Sequence, residues 1–243
     1  MANLSATIDV ARIPERPSNL SAIHACSLLN CLDAEAVERL AANSFMAYAE
    51  KGEMIWMAGA PAEFCSVLGT GFAKMSKATP HGQEVVVELL GPGQAFGLMA
   101  AIEGRAFPLS AIAVTNSWYL KIPTRELIAI YQDSAPLKDG IIRSLGPRIR
   151  KAHDMMTRLS SARVEERLAA ILFILADSYG NSTPKGIVLS VPLTRTDLSE
   201  MAGTTTESTI RVLSRWQKEG LVSTENRVIT MRNADGLQDV LTV

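Results

Sequence analysis

The sequence predicts an α+β protein: a glycine-punctuated antiparallel β-domain, then a long helix, then a C-terminal winged helix-turn-helix. Three observations predict it. From Phe45 to about Ile122, short β-rich runs are separated by Gly52, Gly59, Gly69, Gly71, Gly82, Gly91, Gly93 and Gly97. Turn signals at such spacing suit a small barrel or sandwich. From Ile142 to Leu159, apolar residues recur at alternating steps of three and four. From Leu193 to Met231, two short helical patterns flank Gly203 and a hairpin follows.

Composition bounds what such a chain can do. Of 243 residues, 47% are hydrophobic and 20% charged, which suits a folded protein and is too apolar for disorder. The formal net charge is −1, so no strong overall field draws the chain to nucleic acid or to an anionic membrane. Any such binding must use a local patch. The longest apolar run, Leu168 to Ala176, falls far short of the roughly 20 residues that span a bilayer. The N-terminus does not read as a signal peptide, because no basic region precedes an apolar stretch. The three cysteines, Cys26, Cys31 and Cys65, have no framework spacing. They argue for a reducing, cytoplasmic setting and are too few for a four-thiolate iron–sulfur cluster.

The elements follow in order. Met1 to about Asn19 is polar, holds Pro14 and Pro17, and reads as a loose tail. Asp33 is placed to cap a short helix with Ala36, Val37 and Leu40 on one face. Gln83 to Leu90 and Ser110 to Ile122 are strands, the second rich in β-branched and aromatic residues. Pro123 and Thr124 open one helix; Ser134 and Pro136 open another that runs to about Ser161. On the latter, Ile142, Leu145, Ile149, Ala152, Met156 and Leu159 form a heptad-like seam flanked by charges. Two readings fit it: the buried face of a monomer's helix, or a dimer-forming coiled coil. Gly146-Pro147 is expected to break or kink this helix, so that its clean part starts near Pro147. Arg163 to about Tyr179 is a further helix, with Gly180 as its left-handed C-terminal residue. Ile187 to Val191 alternates like a strand, and a hairpin turns around Glu225-Asn226.

The helix-turn-helix carries the chemistry. Thr194 or Thr196 can cap its first helix, Gly203 supplies the turn, and Thr204 with Glu207 has capping-box spacing for its second helix. That second helix starts with Thr205, Thr206, Glu207 and Ser208, and Arg211 lies one turn beyond Glu207. An arginine can read guanine O6 and N7 in a major groove, and a carboxylate can accept from cytosine N4. Hydroxyls and free N–H groups at the helix start can hold phosphate. Arg195, Arg215, Lys218 and Arg227 make a local basic surround. The plainer alternative is a solvated helical ion pair.

Lys51-Gly52-Glu53, Gly69-Thr70-Gly71, Gly82-Gln83-Glu84 and Gly91-Pro92-Gly93-Gln94-Ala95-Phe96-Gly97 stand ahead of Glu207-Ser208-Thr209-Ile210-Arg211 and Arg215-Trp216-Gln217-Lys218-Glu219-Gly220. In that order they resemble the Crp/Fnr family of bacterial transcription regulators, in its Fnr/Dnr-like branch, over about residues 21–232. The resemblance implies a cyclic-nucleotide-binding-type β-roll sensory domain over 21–132, a dimerisation helix over 133–161 and a winged helix-turn-helix DNA-binding domain over 162–243, behind a flexible tail over 1–20. It implies a cytoplasmic homodimer on double-stranded DNA, with RNA polymerase as a partner and no membrane. The seam residues become the dimer interface. Glu207 and Arg211 take the base-reading positions, with Arg211 on the guanine of a TGA-like half-site and Thr204, Thr205, Thr206, Ser208 and Arg195 beside them. The Fnr-type branch usually has Ser just before this Arg. Ile210 stands there instead, and it can contact a thymine methyl or turn inward.

The same resemblance places an effector pocket around Phe96, Gly97, Leu98 and Ser110, with His153 on the long helix. Cyclic-nucleotide members have Glu right after Phe-Gly and Arg just before Ser. Here those positions hold Leu98 and Leu109. A buried cyclic phosphate would face apolar groups, so cAMP is disfavoured. Haem stays open as the cofactor, with His24, His81, His153, Cys26, Cys31 and the methionines as candidate ligands; thiol oxidation, an apolar ligand or control by abundance also stay open. His24-Ala25-Cys26 with Cys31 fits no standard zinc signature, and no metal or catalytic residue is assigned. A cupin-like enzyme built on His81 and Glu84 lacks a spaced histidine pair. A ligand-binding module with a degenerate helix-turn-helix is the remaining alternative.

Overall fold

The computed structural model describes residues 13–80 and 82–241. The first twelve residues of the tail and His81 lie outside them. The chain divides into two compact units, one of residues 13–78 and 87–151, the other of residues 79–80, 82–86 and 152–241. No helix among the described residues is long and apolar enough to cross a membrane.

The first unit opens with α1 (Asn19–Ala25) and α2 (Ala34–Asn43), capped by Ser18 and Asp33. Asp33 accepts from the Ala36 N–H at 2.8 Å, the cap its position in the sequence promises. The strands that follow are β1 (Phe45–Ala49), β2 (Met54–Trp56), β3 (Phe64–Thr70), β4 (Ala73–Ala78), β5 (Glu84–Leu90) and β6 (Ala95–Phe96). After α3 (Leu98–Glu103) come β7 (Ser110–Ala113) and β8 (Ser117–Pro123). They form two four-stranded sheets, β1-β8-β3-β6 and β2-β7-β4-β5. Strands distant in sequence sit side by side: β8 runs antiparallel to both β1 and β3, so that Leu120 faces Met46 on one side and Val67 on the other. This is the winding of a β-roll.

Alternation along β3 and β8 divides the apolar side chains between two cores. Cys65, Val67, Leu120 and Ile122 pack with Ile23, Leu40 and Leu127 under the helices, where α4 (Thr124–Asp133) also lies. Leu68 and Tyr119 face the other way, towards Trp56, Phe96 and Phe107 inside the roll.

Two expectations for this unit are corrected. Residues 13–20 are not a loose tail. Trp118 Nε1 donates to the Pro14 carbonyl at 2.9 Å, the Arg16 guanidinium lies over the Trp118 ring at 5.5 Å, and α1 has begun by Asn19. Polar residues with two prolines read as structureless, yet contacts with Trp118, remote in sequence, hold the segment in place. Nor does the long helix break at Gly146-Pro147: α5 (Ala135–Ser161) carries Pro147 inside it. Proline deletes one backbone donor there, and the turns on both sides supply enough bonds to continue.

The second unit contains α6 (Val164–Tyr179), β9 (Gly180–Thr183), β10 (Gly186–Leu189), α7 (Arg195–Ala202), α8 (Thr206–Lys218), β11 (Val222–Glu225), β12 (Val228–Met231) and α9 (Ala234–Asp239). Its sheet has the order β11-β12-β10-β9. Gly180 is not a left-handed cap. Its φ is −83°, it opens β9, and a Cβ there would come 2.3 Å from the Ala176 carbonyl oxygen. Close approach of backbone, rather than left-handed geometry, is what requires glycine at this point.

Candidate nucleic-acid interface

Thr194 caps α7 in a full capping box with Asp197: the Asp197 N–H donates to Thr194 Oγ1 at 3.0 Å, and the Thr194 N–H donates to Asp197 Oδ2 at 2.9 Å. Gly203 ends α7 at φ +56°, and a side chain there would come 2.9 Å from Leu159 Cδ2. Helix α8 is capped by Thr205, whose Oγ1 accepts from the Ser208 N–H at 3.1 Å. The Thr204–Glu207 capping box expected from spacing does not form. Three consecutive threonines offer three starting points. Burial of Thr209, Val212, Leu213 and Trp216 settles which one is used.

Those four side chains anchor one side of α8 in the core, against α6, α7 and β11. The opposite side presents Glu207, Ile210, Arg211 and Ser214 to solvent. Glu207 Oε1 and Arg211 Nη2 are 3.5 Å apart, with side chains 87% and 75% exposed. A pair so exposed contributes only tenths of a kcal/mol, so it gives way at little cost when either group finds a better partner.

The flanking hydroxyls divide by task. Thr206 Oγ1 lies 3.2 Å from Ser199 Oγ and ties the start of α8 to α7, so it positions the helix. Thr204 is half-buried, and its N–H donates to the Ser199 carbonyl at 3.0 Å. Thr205 and Ser208 lie at the exposed helix start, and Thr205 Oγ1 donates to Ser208 Oγ at 3.0 Å. Arg195 donates through Nη2 to Thr224 Oγ1 at 3.1 Å, which fastens α7 to the hairpin. Burial lowers the Arg195 pKa from its very high ordinary value, and guanidinium stays charged at neutral pH. The expected basic surround loses one member. Arg215 is paired with Glu165 at 3.2 Å and Glu219 at 3.8 Å, so it braces α6 against α8. Arg227 stands exposed in the hairpin turn, where Asn226 and Arg227 have φ +50° and +67°. The turn centres one residue later than Glu225-Asn226.

The expected effector residues are differently disposed. Phe96 is 3% exposed and stacks on Trp56 at 4.9 Å; Trp56 in turn stacks on Phe107 at 4.2 Å with the rings 13° from parallel. Gly97 has φ +74°, and a Cβ there would meet Phe107 at 2.9 Å and Trp56 at 3.1 Å. Leu98 belongs to the other core, under the helices. Ser110 Oγ accepts the Ala58 N–H at 3.0 Å. Aromatic rings thus occupy the interior beside Phe96 and Gly97. A surface cavity of about 390 Å³ lies elsewhere in this unit, lined by Cys31, Asp33, Arg39, Ile130, Asp133 and Pro136 among others.

The candidate haem ligands do not assemble among the described residues. His24 and His153 are exposed on their helices, and Cys26 and Cys65 are buried in packed core. Burial raises the Cys26 thiol pKa and pushes that of Cys65 up to about 12, which holds both protonated and unreactive. No group of three or more His, Cys, Asp or Glu among the described residues is placed to hold a metal ion. His81 lies outside this statement.

On α5, the seam residues Ile142, Ile149, Ala152, Met156 and Leu159 are exposed and Leu145 is half-buried. Among the described residues, most of the seam is therefore left uncovered.

Comparison with known proteins agrees with this arrangement. A family model of a cyclic nucleotide-binding domain matches residues 47–134, and one of a Crp-like helix-turn-helix domain matches residues 166–240. The global nitrogen regulator of Synechococcus elongatus is 26% identical over 186 residues, covering 76% of this chain and 84% of that one. The fumarate and nitrate reduction regulatory protein of Salmonella typhi is 28% identical over 188 residues, covering 77% and 75%. Among solved structures, FixK2 from Bradyrhizobium japonicum shares the fold with a TM-score of 0.72 at 22% identity, over 81% of this chain and 96% of that one.

Proposed function

Because the chain belongs to the Crp/Fnr family of transcription regulators, we propose that it works as a homodimer whose paired α8 helices read a near-palindromic, TGA-like DNA site. The observation that carries this reading is the division of α8. One side is fixed in the core by Leu213 and Trp216, and the other holds out an acid and a guanidinium one turn apart. Arg211 takes guanine O6 and N7, and Glu207 accepts from a cytosine N4 donor or holds the Arg211 fork in register. Thr205 and Ser208 meet phosphate at the helix start. The exposed seam of α5 supports pairing with a second copy, because Ile142, Ile149 and Met156 are 67%, 52% and 64% exposed. Two-fold pairing sets half-sites about 34–36 Å apart. The protein works in the cytoplasm, where the bound dimer meets RNA polymerase at the promoter.

Control is by a signal other than cAMP, or the dimer binds constitutively. Leucines stand at the two positions where the family's nucleotide binders carry charge, and stacked rings fill the space beside Gly97. A visible spectrum of freshly purified protein tests the cofactor side of this reading, since a Soret band would reinstate haem.

The experiment that tests DNA reading is titration of fluorescent duplexes with full-length protein over a range of salt. Arg211→Ala is expected to bind TGA-containing and scrambled palindromes alike while keeping the salt slope of the native protein. Equal weakening on every sequence, with a shallower slope, would assign Arg211 to the phosphate backbone instead.

A further inference from the structure

We propose that Ile210 reads the 5-methyl group of a thymine next to the guanine taken by Arg211. This rests on the reading of α8 as the groove helix. Ile210 is 47% exposed, whereas the neighbouring Thr209 and Val212 are 0% and 6% exposed. The apolar requirement of α8 is met by Val212, Leu213 and Trp216, so packing does not need an isoleucine at this position. Nor does solubility, which favours a polar residue on a face otherwise made of Glu207, Arg211 and Ser214.

The chemistry of the groove supplies the missing partner. The major-groove edges of the bases offer hydrogen-bond donors, hydrogen-bond acceptors and one apolar group, the thymine 5-methyl. Ile210 lies three residues beyond Glu207 and beside Arg211, in the stripe that reaches base edges if those two do. Its branched Cβ restricts χ1 in a helix, so the side chain is presented with little freedom to lose. Cytosine at the same place brings a hydrogen instead of the methyl and an amino donor that isoleucine cannot satisfy. The residue thus sets which base flanks the guanine.

Selection of sites from a randomised duplex library with full-length protein gives the duplex for the test. Deoxyuridine is then substituted at each thymine of the half-sites in turn, removing only the methyl group. In parallel, 7-deazaguanine at the half-site guanine removes the N7 acceptor. One thymine beside the guanine is expected to lose about four-fold in affinity per half-site on conversion to deoxyuridine, the worth of one buried methyl group. Ile210→Ser is expected to abolish that loss, keep the 7-deazaguanine penalty and melt like the native protein. A flat deoxyuridine scan with the 7-deazaguanine penalty intact would overturn the role of Ile210 and leave the groove reading standing. Persistence of the methyl effect in Ile210→Ser would assign it to another residue. Loss of both sensitivities in the native protein would remove α8 from the groove altogether.

Discussion

The interior of the β-roll and the outer face of α8 use their side chains in opposite ways. Inside the roll, Trp56 stacks on Phe96 at 4.9 Å and on Phe107 at 4.2 Å, beside a glycine that has no room for a methyl group. On α8, Glu207 and Arg211 reach into solvent, paired only loosely with each other at 3.5 Å. The first arrangement is stable because its groups satisfy one another. The second can recognise something because its groups do not. The contrast sets the exposed face of α8, on which the proposed reading rests, against packed rings inside a roll whose residues 47–134 match a cyclic nucleotide-binding domain model.

Four measurements break or sharpen this contrast, taken from the largest expected effect. Trp56→Ala removes the central ring of the stack and the donor to the Leu109 carbonyl, and should destabilise the first unit by about 3–5 kcal/mol in denaturant titration. A cost under ~1 kcal/mol would show the roll to be open. Arg211→Ala should leave stability within about 0.5 kcal/mol while costing about 1–3 kcal/mol of discrimination per guanine, the reverse profile. Arg227→Gly should stabilise the protein by about 0.5–1 kcal/mol, because a left-handed φ of +67° is costly for arginine and free for glycine. An unchanged melting temperature would mean that the turn carries no strain. The smallest effect concerns Glu88, whose carboxyl is raised above the usual carboxylate range by burial, against the pull of Arg148 and Lys151. A carboxyl raised in the folded state binds more protons folded than unfolded. Its contribution to stability therefore grows as pH falls from its folded pKa to its unfolded one. Native protein should gain stability relative to Glu88→Gln as pH falls from neutrality towards 4.5, the ordinary value of the carboxyl. A parallel pH dependence of the two would contradict the shift.

Much of this was legible in the sequence, and what was not has a common cause. Glycine rhythm, the Asp33 cap, the turn at Gly203 and the exposed pair on α8 are local patterns, and local patterns survive without tertiary information. Strand β9 was hidden because Gly180-Asn181-Ser182 has turn composition, and only pairing with β10 makes it extended. The α8 cap was misplaced by one residue because spacing cannot rank adjacent threonines, whereas the burial of Thr209 and Trp216 can. Arg215 looked like a free cation because its partner, Glu165, lies fifty residues earlier. The aromatic stack draws on β2, β6 and the segment after α3, so no window of sequence contains it.

The placement of tryptophan has a practical outcome. The chain has three: Trp56 sits in the stack, Trp118 holds the N-terminal segment, and Trp216 is sealed in the core behind α8. Each indole emits from a different environment, one of them under a guanidinium that alters its emission. Versions of the chain keeping a single fluorophore would therefore follow the melting of the roll, the release of the segment and the loosening of α8 as three separate optical signals.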